Sequence, residues 1–468
     1  MNVANVSSVY FLGIGGIGMS ALARWFHANG CFVAGYDRTP TTLTNQLQQE
    51  GIGVHFEDEI GLIPPVFLKK SEENLIIYTP AIPKNHKGYT FFQENGYELK
   101  KRSQVLGWLT KNMFTVAVAG THGKTTTSSM VAHILKASGK NCAAFLGGIT
   151  ANYNTNLLIN DPASADAPVV VVEADEYDRS FLTLFPDIAV VNSVDADHLD
   201  IYGNADSVVS SYQEFINQIK PAGSLFIKQG LPLQAPKDKS VQVFDFSRTQ
   251  PAYFRAENVH IADGSFVFDV TSADISLKDI HLQVPGFHNV ENALVAMAAS
   301  IQAGVTPEQA KQAIETYKGV KRRFEYIVKN PYLVYIDDYA HHPAEIEALL
   351  RSVRALYPAK KITAVFQPHL YSRTRDFAEG FASSLSLADQ VILLDIYPAR
   401  ELPIPGVSSQ MLLEKITSSE KMLCGKNNLL DELNKMSIEV LVTIGAGDID
   451  QLIIPIKEYF NNKLSVNQ

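Results

Sequence analysis

Cysteine is scarce in this chain: three residues in 468, Cys31, Cys142 and Cys424, far apart and with no CxxC. That argues against a disulfide scaffold or a thiolate metal site and points to a reducing compartment. A basic excess is also missing. Forty lysines and arginines stand against 49 acidic residues, a net charge of −9, which speaks against a nucleic-acid partner or an anionic membrane surface. Any anionic ligand must then be held by local groups, not by the overall field. No apolar run reaches the roughly 18 residues of a membrane span, and the opening MNVANVSSVYFLGIGG carries no basic n-region. There is no internal repeat, low-complexity tract or long linker. With 46% hydrophobic and 19% charged residues, the balance is that of ordinary globular protein. At roughly 150 residues per domain, the length gives about three domains. The expectation is a soluble, cytoplasmic, multidomain protein.

Hydrophobic periodicity divides the chain into three blocks. The first, 1–105, alternates strands (Val9–Leu12, Cys31–Tyr36, Leu75–Thr79) with helices (Met19–Asn29, Leu43–Glu50), the pattern of a parallel α/β sheet. The second, 106–320, has strands at Phe114–Ala119, Val169–Val172 and Ile188–Asn192; the uninterrupted apolar run of the second is typical of a buried parallel strand. From about 223 to 285, short alternating strands read as an antiparallel appendage, and helices follow over Val290–Ala303 and Pro307–Tyr317. The third block, 321–468, has strands at Tyr332–Asp337, Ile362–Gln367, Val391–Ile396 and Val440–Gly445. Helices lie between them, at Pro343–Tyr357, Arg375–Ser386 and within 408–436, which makes another doubly wound sheet.

Two glycine turns carry the chemistry. Gly13-Ile-Gly15-Gly16-Ile-Gly18 matches GxGxxG between a strand and a helix, and Asp37 ends the next strand. Such a turn lets backbone approach a phosphate and aims helix N-terminal N–H groups at it. A diphosphate-bearing ligand is indicated. NAD is one such ligand, and glycines that serve only helix–strand packing are the plainer alternative.

The second turn is Gly120-Thr121-His122-Gly123-Lys124-Thr125-Thr126-Thr127, again after a strand and opening a helix. Its N–H groups can cradle phosphates, Lys124 can reach the outer ones, and the Thr125 hydroxyl can bind Mg²⁺. The loop is shorter than a Walker motif, since Val118 stands where that spacing needs glycine. Mg²⁺ takes hard oxygen ligands, and a parallel sheet supplies them from neighbouring strand ends. Glu173 ends the run Val169–Val172 within Glu173-Ala-Asp175-Glu176-Tyr-Asp178. Four carboxylates so close repel one another unless cations are near; an exposed acidic loop is the alternative. His198, soon after the following strand, is a candidate metal or phosphate ligand, though a lone histidine is more often structural.

GTHGKTTT, then EADE with a downstream DHLD, then PGFHNVENALVA and DDYAHHPAE closely resemble the muramyl ligase family, which adds amino acids to a cell-wall precursor. GIGGIGMS, DDYAHHP, FQPH and IYPARE narrow the match to its alanine-adding branch, and the motifs span nearly the whole chain. The resemblance implies N- and C-terminal Rossmann-like domains, binding a UDP-sugar and an amino acid, that flank a central P-loop-type ATPase domain. It implies ATP and Mg²⁺ as cofactors, no NAD, UDP-N-acetylmuramate and L-alanine as substrates, and a monomer or homodimer.

Carried over by motif, Gly13, Gly15, Gly16, Gly18, Met19, Ser20 and Asp37 hold the UDP-sugar. Gly120 to Thr126 hold ATP, with Asn289 and Asn292 resembling the adenine-reading groups; Asn289 as a mere helix cap is the alternative. Arg323 and Asp337 look like residues that complete the nucleotide site, while Lys321 and Arg322 read equally well as a solvated charge run. Thr125, Glu173 and His198 are the implied metal ligands, with Lys124, Glu173 and His198 as catalytic groups. His341, His342, His369 and Arg373 are placed at the amino acid. The family often reads PHRY where this chain has Pro368-His369-Leu370-Tyr371. Leu370 cannot bind a carboxylate, which leaves Arg373, or Arg375 in reserve.

Overall fold

The computed structural model describes residues 6–159, 166–195, 202–399 and 401–466; His198 lies outside them. Among the described residues no helix is long and apolar enough to cross a membrane. The chain forms two compact units. One runs to Asn258 and takes in Phe268–Ile280 and Glu291–Tyr317; the other comprises Val259–Val267, His281–Val290 and the chain from Lys318 onward.

The first unit begins with a five-stranded sheet in the order Gly53–His55, Phe32–Tyr36, Ser8–Leu12, Asn74–Tyr78, Leu99–Lys101. Every pairing is parallel. The chain builds outward from Ser8–Leu12 on one side and then returns to build on the other. Its carboxyl end is therefore a topological switch point, where a crevice opens. Gly13 stands at that end.

In the central sheet the order is Ser276–Leu282, Ser265–Thr271, Phe254–Ala262, Gln242–Ser247, Ser224–Lys228, Ile188–Val191, Thr115–Ala119, Val169–Ala174, Cys142–Phe145, Leu157–Ile159. Thr115–Ala119 is fully buried and pairs in parallel with Ile188–Val191 on one side and Val169–Ala174 on the other. The turn after it thus sits between two strand ends, those of Glu173 and Asn192. Apolar residues of both sheets, among them Val9, Phe11, Ala117, Val172 and Val191, form one core with Leu22 of helix Ile17–Ala28.

The expected antiparallel appendage is narrower than the sequence indicated. Ser224–Lys228 and Gln242–Ser247 extend the parallel sheet. Within this stretch, antiparallel direction is forced where the two-residue turn Asp263-Gly264, with φ of 51° and 72°, and the short turn closed by the Ser272 N–H on the Ile275 carbonyl link adjacent strands. Alternation reports one exposed face and is blind to direction, which explains the misreading.

The second unit's sheet runs Glu325–Lys329, Val334–Asp338, Val440–Ile444, Ile362–Phe366, Gln390–Leu393, Glu420–Leu423. It is parallel but for its antiparallel first strand. The two outermost strands, Glu325–Lys329 and Glu420–Leu423, escaped the periodicity reading because they are charged and only partly buried, as edges that resist mispairing are. The helix expected over Arg375–Ser386 is two, Tyr371–Asp376 and Ala378–Leu385.

Candidate active site

The first glycine turn is built around Asp37. Its carboxylate accepts from the Gly15 N–H at 2.7 Å and the Thr39 N–H at 3.3 Å, while Gly13 and Ile14 donate to the Tyr36 carbonyl. Gly13 has a φ of 89°, and a Cβ there would lie 2.4 Å from Thr79. A Cβ on Gly15 would lie 2.7 Å from Thr44 and 2.8 Å from Asp37. These two glycines are demanded by the turn itself. Gly16 is different: it is exposed, its φ of −65° suits any residue, and an added Cβ would meet nothing nearer than 3.8 Å. Helix Ile17–Ala28 starts directly after it. Met19 and Ser20 are buried, and the Ser20 hydroxyl donates to the Ile17 carbonyl and accepts from Asn156, so it braces the turn from within.

At the second turn Gly120 and Gly123 adopt φ of 137° and 81°, and helix Lys124–Ala137 follows. Thr121 N–H donates to the Ser193 carbonyl and His122 N–H to the Ser193 hydroxyl at 2.8 Å. The imidazole of His122 lies 3.3 Å from the Asp195 carboxylate. Asn292 belongs beneath this turn: its Oδ1 accepts from the Thr127 hydroxyl, and a Cβ on Gly123 would sit 2.7 Å from it. Thr126 is buried beside it.

The carboxylates of the acidic loop go separate ways. Glu173 accepts from the Gly147 N–H at 2.6 Å, the Thr125 hydroxyl at 3.0 Å and the Ser128 hydroxyl at 3.2 Å. Burial nonetheless pushes its carboxyl up. Glu176 takes Lys124 Nζ on both oxygens, at 3.0 and 2.8 Å. Lys124 also donates to the Gly120 carbonyl at 2.7 Å. Burial opposes the ammonium, but Glu176 and Asp175 outweigh it and raise its pKa. Asp178, in left-handed backbone at φ 53°, faces Lys101 at 3.4 Å. Cations account for two of the four, Lys124 for buried Glu176 and Lys101 for exposed Asp178, and neutral donors hold Glu173. Asp175 accepts from the Tyr177 N–H at 3.1 Å and lines a cleft of about 200 Å³, which joins Gly16–Met19 at the first turn to Gly147 and Glu173 at the ends of two neighbouring strands of the central sheet.

In the second unit, Asp337 is fully buried and commits its oxygens to the Arg322 guanidinium at 3.1 Å and the Thr443 hydroxyl at 2.6 Å. Arg322 also donates to the Gly445 carbonyl at 2.7 Å; it is no part of a solvated charge run. Arg323 instead stays half-exposed, over the Tyr339 ring. Asn289 is buried and donates to the Pro285 carbonyl at 2.7 Å, which is a helix-start role.

His341 is pushed down to about 4 by burial, with Glu345 opposing and Arg373 assisting, so its ring is neutral at pH 7. His342 caps helix Pro343–Leu356. His369 stacks on Tyr397 and lies 6.2 Å from the His341 ring. Leu370, at φ 69°, is a strained non-glycine residue beside this cluster, as functional sites often hold. Arg373 is buried, whereas Arg375 is exposed and paired with its neighbour Asp376 at 2.7 Å. The three cysteines are free thiols, and burial pushes Cys142 up to about 11.

Two strand–glycine turn–helix units, each opening from a parallel sheet, define the class: an α/β protein organised around glycine turns at strand ends. The chain belongs to the Mur ligase family. Three models of that family match it in order: "Mur ligase family, catalytic domain" over 8–113, "Mur ligase middle domain" over 118–300 and "Mur ligase, glutamate ligase domain" over 322–449. The UDP-N-acetylmuramate–L-alanine ligase of Cytophaga hutchinsonii is 52% identical, covering 98% of this chain and 97% of the relative. That of Flavobacterium johnsoniae is 50% identical, over 99% and 100%. The crystal structure of UDP-N-acetylmuramate–alanine ligase from Thermotoga maritima superposes with a TM-score of 0.79 at 28% identity, over 97% of this chain and 99% of that one.

Proposed function

We propose that this chain joins L-alanine to the carboxylate of UDP-N-acetylmuramate at the expense of ATP, releasing ADP and phosphate, in the cytoplasmic synthesis of peptidoglycan precursors. The observation that carries this reading is the cleft that joins the first turn to Glu173, whose carboxylate accepts from Thr125 of the second turn. A sugar diphosphate anchored at Gly16–Gly18 has its far end directed toward Glu173 and Asp175, beside the turn assigned to ATP. The three domains are proposed as 1–105 for the UDP-sugar, 106–320 for ATP and 321–468 for the amino acid.

A carboxylate is a poor acyl donor because its leaving group would be an oxide. Moving the γ-phosphoryl group onto it gives an acyl phosphate, whose phosphate departs readily when the alanine amine attacks. Phosphoryl transfer relies on positioning and charge stabilisation, the work proposed for Lys124. The α-amine of free alanine is protonated at pH 7 and must lose a proton before it attacks; His341, His342 and His369 are the groups proposed to take it. Acyl phosphate hydrolyses in water, so solvent must be kept from it.

Mg²⁺ would supply charge neutralisation at the transferred phosphoryl group. Among the described residues no three His, Cys, Asp or Glu side chains form a ready metal cage. Thr125 and Glu173 present two hard oxygens 3.0 Å apart, which fits an ion that keeps waters and phosphate oxygens as its other ligands. Glu173→Gln should raise the Mg²⁺ needed for half-maximal rate about tenfold to a hundredfold, the loss typical when a charged partner is removed. An unchanged Mg²⁺ dependence would move the metal elsewhere.

For the amino acid, Arg373 is the proposed carboxylate clamp, since it is buried close enough to His341 for its charge to act on that ring, whereas Arg375 is exposed. Arg373→Ala should raise the KM for L-alanine about tenfold to a hundredfold and leave the KM for ATP unchanged, while Arg375→Ala should do neither. A rise with Arg375→Ala alone would shift the assignment by two residues. The whole reading is tested by ADP release with UDP-N-acetylmuramate and each of the twenty amino acids. L-alanine should support the fastest turnover; release that needs a peptide in its place would overturn the reading.

A further inference from the structure

From its position we infer that Arg102 clamps the diphosphate of the sugar nucleotide, a role outside every motif so far described. This rests on the function proposed above and deepens it. Arg102 is the one basic residue lining the cleft shared by Gly16–Met19 and Glu173. Of the three consecutive cations Lys100, Lys101 and Arg102, the first two have acidic partners, Glu98 and Asp178. Arg102 has no hydrogen bond or ion pair among the described residues.

It is also the first residue of helix Arg102–Asn112. Helix N-termini carry partial positive charge and favour acidic residues, yet this first turn has none. A cation there with no counter-ion is a local inconsistency of the kind that marks a binding site. The guanidinium lies over the first turn: a Cβ on Gly18 would be 2.7 Å from Nη1 and 3.1 Å from Cζ. Gly18 is therefore glycine so that Arg102 can reach the start of helix Ile17–Ala28. A diphosphate there meets N–H groups from below and a planar fork from the side, the geometry in which arginine exceeds lysine. In a chain of net charge −9, with two carboxylates in the same cleft, such a clamp supplies the attraction that the overall field does not.

Titration calorimetry without ATP tests this, using UDP-N-acetylmuramate and its uncharged carboxamide against wild type, Arg102→Ala and Arg102→Lys. If Arg102 holds the diphosphate, Arg102→Ala should weaken both ligands by the same factor, about tenfold to a hundredfold. Arg102→Lys should recover part of that, and the Kd for ATP should stay at its wild-type value. Weakening confined to the acid would mean that Arg102 reads the carboxylate and would overturn the assignment, as would no weakening of either ligand. A wild-type protein that fails to bind UDP-N-acetylmuramate would overturn the proposed function itself.

Discussion

Lys124→Ala is expected to cut turnover by roughly 10² to 10³, the usual loss when a donor aimed at developing phosphoryl charge is removed, and also to lower the melting temperature. The second effect follows from Glu176. In the structure its carboxylate is buried and both oxygens are engaged by Lys124. Removing one partner of a buried pair leaves an uncompensated charge and costs on the order of 3 kcal/mol or more. The double variant Lys124→Ala/Glu176→Gln removes that charge, so it should regain most of the lost melting temperature and none of the turnover. Thermal unfolding and ADP release, measured on the same three proteins, separate the two roles. A single variant that melts with wild type would show that Glu176 does not depend on Lys124, and near-normal turnover would remove the ATPase assignment of this turn.

Gly16→Val should abolish binding of UDP-N-acetylmuramate while leaving fold and ATP binding intact. Nothing in the protein requires glycine at this position: the backbone angles are ordinary and a Cβ has room. A side chain there obstructs only what approaches the helix N-terminus from outside. Each charge-assisted hydrogen bond lost is worth about 1.5–3 kcal/mol, so the affinity should fall by at least roughly tenfold to a hundredfold. Gly15→Val makes the contrast. Its Cβ would press on Asp37 and Thr44, so it should lower the melting temperature and disturb more than one ligand. Calorimetry of each ligand with each variant provides the check; normal sugar-nucleotide affinity in Gly16→Val would take the diphosphate away from this turn.

Much of the site was legible in the sequence because its turns are short-range features. A strand, a glycine that must take positive φ and a helix start follow one another within a dozen residues, so Gly13 and Gly120 announce themselves. The run Val169–Val172 likewise placed Glu173 at a strand end, where the structure has it beside Thr125. What was not legible depends on partners far apart in sequence. Arg322 looked like part of a surface charge run until Asp337 and Gly445 were seen to hold it. Asn292 looked like a base reader, and its amide is engaged beneath the turn by Thr127. Arg102 carries no motif at all; its one local signal is a cation at a helix start, which is readable only once the helix boundary is known.

The central claim is that the sugar carboxylate is activated as an acyl phosphate before alanine attacks. It is tested most directly with UDP-N-acetylmuramate whose carboxylate oxygens are both ¹⁸O, turned over with ATP and L-alanine, and mass analysis of the phosphate released. Activation by phosphoryl transfer leaves one carboxylate oxygen in the phosphate and the other in the amide. One ¹⁸O should therefore appear in phosphate for every amide bond formed. Amide formation with unlabelled phosphate would show that ATP is hydrolysed apart from the carboxylate, and would contradict the account.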